Sequence, residues 1–261
     1  MEIKKNYLLG LLRLIAIATW ILVMPVIFMI CKFLRVPRHK QLVPFFHAGT
    51  CRILGIAIIK TGDMSRARPT LYISNHISYV DIFILGCLPA FFIAKSEVAG
   101  WPVFGKLAEF QNTLFIERKA GRAKQQLEIL KNHLKLSNSL TLFPEGTSTN
   151  GVHVKPFKSS LFEAANLGEG ELRVAIQPVT VAYTHHAGEL IRDQGVRDHY
   201  AWHSKMPFLS HFLGLMPLLN ASAKIHFHPV CYIDEFETRK ECAYHCQALV
   251  SQKLAELVSM D

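Results

Sequence analysis

Residues Leu14 to Cys31 carry no charged side chain. No other feature restricts the fold of this chain so strongly, because such a stretch sits at the lower edge of what crosses a bilayer, about 18–20 residues. Lys4, Lys5 and Arg13 precede it, and Lys32, Arg35, Arg38 and Lys40 follow. No small-residue cleavage site comes after it, which disfavours a removed signal peptide. Pro25 is expected to kink a helix here, and a membrane tolerates that. The competing reading is a helix buried in a soluble core. Basic residues on both flanks make orientation by charge weak, with a slight excess downstream. A second segment, from about Leu42 to Ile59, mixes apolar residues with His47 and Arg52 and ends beside Lys60. It reads as an amphipathic helix suited to the headgroup region. Residues 1–60 are thus expected to form a membrane-anchoring helical segment. A clean span and a hairpin dipping into one leaflet both remain open.

Beyond residue 60 the pattern changes to that of an α/β domain, expected over residues 61–261. Short apolar runs recur at Leu71–Ser74, Phe91–Ala94, Thr113–Ile116, Leu140–Phe143, Val174–Val181 and Lys224–Phe227. Between them lie helical stretches. In Arg122 to Leu136, the residues Leu127, Leu130 and Leu134 form one stripe opposite the charges. Asp234 to Val258 is a second long amphipathic candidate. Strands alternating with helices predict a mainly parallel sheet with flanking helices.

Charge narrows the partners. The chain is half hydrophobic, its formal charge is +9 and its pI about 9.3. A basic surface serves nucleic acid, an anionic membrane or an anionic substrate. The positive mean hydropathy favours the membrane, and no basic tail interleaved with aromatics supports nucleic acid. Of the cysteines, Cys242 and Cys246 crowd with His245, but a structural zinc site needs four ligands and no second cluster answers them. The expectation is reduced, mostly buried thiols, and no metal.

Four short blocks carry chemistry. Asn75-His76-Ile77-Ser78-Tyr79-Val80-Asp81 follows a predicted strand and opens a helix, a place where α/β sheets expose functional groups. His76 can take a proton from a hydroxyl near neutral pH. Asp81, five positions on, is within reach of the imidazole and can fix its tautomer. Phe143-Pro144-Glu145-Gly146-Thr147-Ser148 ends another strand. Gly146 permits a sharp turn there, Glu145 can accept from ligand hydroxyls, and the turn amides can hold an anion or oxyanion. Phe115-Ile116-Glu117-Arg118 also ends a strand, and an arginine grips phosphate bidentately. Pro178, in Gln177-Pro178-Val179, interrupts an apolar run and predicts an edge or a bulge. Each block alone also fits an ordinary cap, turn or surface residue.

Together and in this order they resemble the glycerophospholipid acyltransferases, specifically the bacterial 1-acyl-glycerol-3-phosphate acyltransferase type. The likeness covers roughly Thr70 to Ala182, and more loosely reaches Val230. Residues 75–81 meet the NHxSxxD pattern in full and 143–148 the FPEGTS pattern in full. The resemblance implies His76 as general base, Asp81 as its orienting partner, Arg118 on an acceptor phosphate, and Glu145, Gly146 and Thr147 lining the acceptor site. It implies acyl-CoA or acyl carrier protein as donor, a lysolipid as acceptor, phosphatidic acid as product and no cofactor. It also implies a bacterial inner membrane location with the catalytic domain on the cytoplasmic face. One departure stands out. Where many relatives have Lys-Lys-Gly, this chain has Lys155-Pro156-Phe157-Lys158-Ser159-Ser160. That wording, with Trp202 and Phe208–Leu213, is similar to the lyso-ornithine lipid acyltransferase branch, whose lipids lack phosphate.

Two rivals come from other classes. A serine hydrolase using Ser78 or Ser148 finds no GxSxG elbow in the sequence. A lipid-binding protein with a dead site is opposed by the intact His76 and Asp81 pair.

Overall fold

The computed structural model describes residues 3–100, Gly105, Ala108, 113–117, 120–168 and 172–259. The expected elements appear with shifted ends. Helix α1 runs Tyr7–Phe33 and α2 runs Leu42–Leu54. Strands are β1 Ile56–Thr61, β2 Thr70–Ser74, β3 Ala90–Lys95, β4 Leu114–Ile116, β5 Ser139–Leu142, β6 Ala175–His186, β7 Glu189–Leu190 and β8 Ala221–Phe227. The later helices are α3 Asp81–Ile84, α4 Ser96–Ala99, α5 Ala123–Lys135, α6 Gln194–Arg197, α7 Phe208–Leu215 and α8 Arg239–Val258.

The strands form one sheet in the order β1-β8-β6-β2-β5-β3-β4, with β7 paired to β6. All neighbours are parallel except β6 with β7 and β6 with β8. Both faces are covered, as a parallel sheet requires. On β2, Tyr72 points to one face, where Val179, Val181, Ile84 and Leu215 also pack. Leu71 and Ile73 point to the other, with Leu130 and Leu134 of α5 and Cys246 and Val250 of α8. The stripe on α5 is therefore the one its leucine spacing predicts.

The first sixty residues need a correction. The amphipathic helix does not reach Ile59. It ends at Leu54, because Gly55 takes a left-handed conformation (φ 72°) and its N–H caps the preceding turn. Residues 56–61 then join the sheet as β1, parallel to β8. β-Branched Ile56, Ile58 and Ile59 suit that strand better than a helix. Pro25 lies inside α1, which is continuous through it.

Helix α1 is fastened at its start. Asn6 caps it by accepting from Leu9 N–H, and Asn6 N–H bonds Pro217 O at 2.7 Å. Arg13 is buried, and its guanidinium donates to the carbonyls of Met216 and Leu218. Further along, Trp20 donates to Phe46 O of α2 and stacks on the Phe46 ring. Gly49 makes this approach possible, since a Cβ there would fall 2.2 Å from the Trp20 ring. Leu22, Met29, Ile30 and Phe33 remain exposed. Helix α1, with 27 residues and a length of about 40 Å, is long and apolar enough to cross a membrane.

Pro178 occupies an inner strand, yet without a lost ladder bond. The β6–β8 pairing stops at Val179 opposite Phe227 and resumes only as the isolated Ile176–Cys231 bridge. Pro178 and Pro229 both fall in that interruption, which His228 N–H spans by donating to Pro178 O at 3.0 Å. Gln177 beside it is a latch. Its side chain donates to Asp63 O and His228 O and accepts from Ser65 N–H.

Candidate active site

β2 and β5 are adjacent and parallel, in register from Leu71 opposite Leu140 to Ile73 opposite Leu142. Their C-terminal ends therefore lie side by side, and so do the two loops that leave them. This is how blocks some seventy residues apart become one site.

The first loop leaves the sheet at Asn75. Its amide side chain exchanges two hydrogen bonds with Val181, at 2.8 and 2.9 Å, and so continues the ladder one step past the backbone. The chain then turns, and Asp81 starts α3. Asp81 is fully buried. Its Oδ2 accepts from His76 Nδ1 at 2.9 Å and from the backbone N–H groups of Ile77 and Ser78 at 2.6 and 2.9 Å. Its Oδ1 accepts from the Tyr183 hydroxyl at 3.0 Å. A buried carboxylate is costly unless donors surround it, and here four do. With Nδ1–H given to Asp81, the imidazole presents the lone pair of Nε2. The His76 side chain is 20% exposed, so the ring edge reaches the surface.

The second loop supports the first. The Phe143 ring stacks on the His76 imidazole, centroids 4.1 Å apart. Glu145 is buried and turns inward. One carboxylate oxygen accepts from His76 N–H and the other from Lys155 N–H, each at 2.7 Å. Burial pushes the Glu145 carboxyl up to about 7, and the two amide donors pull it back only in part. Thr149 N–H bonds His76 O at 2.9 Å. Gly146 has φ +75°, a left-handed conformation that favours glycine, and the flexible Lys158 side chain lies over it. A third loop closes the group. Trp202 N–H donates to Ile77 O, and the Ser148 hydroxyl donates to Trp202 O.

The structure thus brings His76, Asp81, Glu145 and Gly146 together. Thr147 is exposed on the rim of the same turn. Arg118 lies outside the described residues; the neighbouring Glu117 pairs with Arg122 at 2.8 Å. Ser148 is engaged by Trp202, and the buried Ser78 hydroxyl finds no partner among the described residues. Neither serine is hydrogen-bonded to an imidazole, the arrangement that activates a serine nucleophile. An apolar crevice lies beside the site, between α1, α2 and the turn, lined by Ile21, Phe46, Leu54, Tyr79, Phe83 and Phe212.

Tyr183 escaped the sequence reading, which ended its strand at Val181. The period-two alternation of Val179, Val181 and Tyr183, all facing the side of the sheet that carries Tyr72, is the signal that finds it. The cysteine grouping also differs from expectation. Cys231 joins Cys242 and Cys246, their sulfurs within 4.8 Å of one another, while His245 packs on Phe236. The three thiols sit in the α8 side of the core.

Comparison with known proteins places this geometry. The family model described as Acyltransferase matches residues 56–182. The chain is 36% identical to a lyso-ornithine lipid O-acyltransferase of Rhodobacter capsulatus over 84% of this chain and 79% of the relative. It is 34% identical to a 1-acyl-sn-glycerol-3-phosphate acyltransferase of Neisseria gonorrhoeae, over 41% of this chain and 43% of the relative. The crystal structure of the 1-acyl-sn-glycerophosphate acyltransferase PlsC from Thermotoga maritima shares the fold, with a TM-score of 0.73 and 20% identity, over 98% of this chain and 97% of that one. A His–Asp pair at the open end of a mostly parallel sheet, inside the matched region and on a chain aligned over most of a curated relative's length, makes this protein an enzyme of the acyltransferase family that includes the lyso-ornithine lipid and 1-acylglycerol-3-phosphate acyltransferases.

Proposed function

We propose that this enzyme transfers a fatty acyl group from a thioester to the free hydroxyl of a lyso-ornithine lipid. The observation that carries the choice of acceptor is the degree of likeness. The match to the Rhodobacter capsulatus lyso-ornithine lipid enzyme is 36% identical over 79% of that protein, whereas a 1-acyl-sn-glycerol-3-phosphate acyltransferase of Salmonella typhimurium, matched over 83% of its length, is 26% identical. The Lys155–Ser160 wording agrees with that preference.

The chemistry follows from the site. A thioester is already activated, and the missing component is a nucleophile, since a lipid hydroxyl is scarcely ionised at pH 7. His76 Nε2 removes the hydroxyl proton as the oxygen attacks the thioester carbonyl. The C–O bond forms, a tetrahedral oxyanion results, and its collapse breaks the C–S bond. The leaving thiolate takes the proton back from the imidazolium, so no proton is left over. Asp81 holds the tautomer and stabilises the imidazolium. General-base help of this kind gives about 10²–10⁴-fold. The donor is acyl-CoA or acyl carrier protein, both anionic and both suited to a chain of charge +9. The exposed apolar length of α1 attaches the enzyme to the inner membrane with the sheet on the cytoplasmic side.

Acylation of 1-acylglycerol-3-phosphate is the second reading, favoured by the Arg118 match to a phosphate-gripping block. A panel decides between them. Purified enzyme receives labelled palmitoyl-CoA or palmitoyl-acyl carrier protein with lyso-ornithine lipid, lysophosphatidate or lysophosphatidylglycerol. The expected product is diacylated ornithine lipid. Turnover of lysophosphatidate alone, lost in Arg118→Ala, reverses the assignment.

A further inference from the structure

We propose that Tyr183 is a positioning residue for acyl transfer: its hydroxyl, given to Asp81 Oδ1, fixes the rotation of the carboxylate that presents Oδ2 to His76. The inference rests on the reading of His76 as the base and extends it to β6.

The two Asp81 oxygens have unequal company. Oδ2 receives His76 and two backbone amides, whereas Oδ1 receives only Tyr183 among the described residues. Take the phenol away and a buried carboxylate oxygen has no donor, so the carboxylate is drawn to turn and share its amides between both oxygens. That turn moves Oδ2 relative to Nδ1. Tyr183 itself has no freedom to follow. It is 1% exposed, and its ring stacks on Tyr200 at 5.5 Å and 16°. The Tyr200 hydroxyl is held in turn by His186 Nδ1 at 2.6 Å. Arg197 donates to the Tyr183 main-chain oxygen at 3.1 Å, fixing the strand behind the ring. Burial and then the Asp81 charge hold the Tyr183 phenol far above its ordinary range, so it remains a neutral donor at every working pH.

The ionisable groups facing Asp81 and Tyr183 are His76 and Tyr79 from the turn, Glu145 from the loop after β5, Cys51 from α2, and Tyr200 with Arg197 from the α6 region. The Arg197 guanidinium is spent on main-chain carbonyls of Tyr183 and Ile191. Tyr183 thus acts on His76 only through Asp81.

The test uses the full chain in detergent with palmitoyl-CoA and lyso-ornithine lipid. In Tyr183→Phe the ring and its stack persist while the donor is lost. The expected result is a fall in kcat of about ten- to a hundredfold, with KM for both substrates within about twofold. The acid limb of the kcat–pH profile moves to lower pH, because a carboxylate turned from Nδ1 stabilises the imidazolium less. Replacing Tyr183 with 3-fluorotyrosine keeps the shape and makes a stronger donor; its acid limb moves to lower pH. A merely structural tyrosine changes the amount of folded enzyme and moves neither limb. His76→Ala is the control. An inert His76→Ala beside a Tyr183→Phe enzyme with unchanged kcat and acid limb removes this inference alone. A fully active His76→Ala removes the base reading and this inference together. Should Tyr183→Phe fail to fold, an unmoved limb in the fluorotyrosine enzyme overturns the inference.

Discussion

Phe143 lies flat on the His76 imidazole, Asp81 holds Nδ1, and Glu145 holds the His76 main chain. Each of these contacts restricts a different freedom of one ring. His76→Ala should therefore lower acyl transfer by about 10²–10⁴-fold while membrane attachment persists, as measured by labelled-acyl turnover and by sedimentation with membranes. Glu145 makes a sharper prediction about pH. Its carboxyl is raised from 4.5 to about 7 by burial. Between those values the native state holds a proton that the unfolded chain has released. Stability therefore falls as pH rises through that window, by up to about 1.4 kcal/mol per pH unit from this site. Glu145→Gln should lack that slope. It should also place an amide donor against one of the two backbone N–H groups, costing about 1–3 kcal/mol. Denaturant unfolding of both proteins from pH 4.5 to 7 compares the two slopes directly.

At the scale of elements, the joint between α1 and α2 is built on Gly49 and Trp20. A Cβ at Gly49 would fall 2.2 Å from the Trp20 ring, so Gly49→Ala must push the helices apart. The expected cost is about 1–3 kcal/mol, read by thermal unfolding in detergent, with a red shift of Trp20 fluorescence as its partial burial is lost. The same joint tests the anchor. Removing residues 1–40 deletes the exposed apolar length of α1 and should release the protein from membranes. Retention would transfer the anchoring role to the remaining apolar face, where Phe45, Leu209 and Leu213 are also exposed.

At the scale of the whole molecule, charge and apolar surface act together. With +9 on 261 residues, binding to vesicles containing anionic lipid should exceed binding to zwitterionic ones at low salt. Raising salt from 50 to 500 mM should erase most of that difference while leaving the apolar contribution, since screening acts only on the charges. Vesicle flotation with phosphatidylglycerol against phosphatidylcholine measures it. An equal affinity for both at low salt would contradict an electrostatic share in attachment.

Much of this was already legible in the residue order. The uncharged stretch from Leu14 to Cys31, the leucine stripe of α5 and the apolar runs of the sheet are local patterns, and local patterns report which face of an element is buried. The blocks at 75–81 and 143–148 pointed to the chemistry through their joint resemblance to the acyltransferase pattern. Other features were settled only by folding. Gly55 reads equally as a helix residue or a stop until β8 offers a partner for Ile56–Thr61. Glu145 shows in the sequence only as a polar group in a turn, and the fold alone puts two backbone amides on its carboxylate. Tyr183 stands 102 residues from Asp81, and Cys231 is 15 from Cys246 with a turn between. Hydrogen bonds and core contacts of that kind depend on strand order and register, which sequence-local periodicity does not encode. The chain thus declared its elements and its reactive groups by itself, and the sheet alone decided which of them meet.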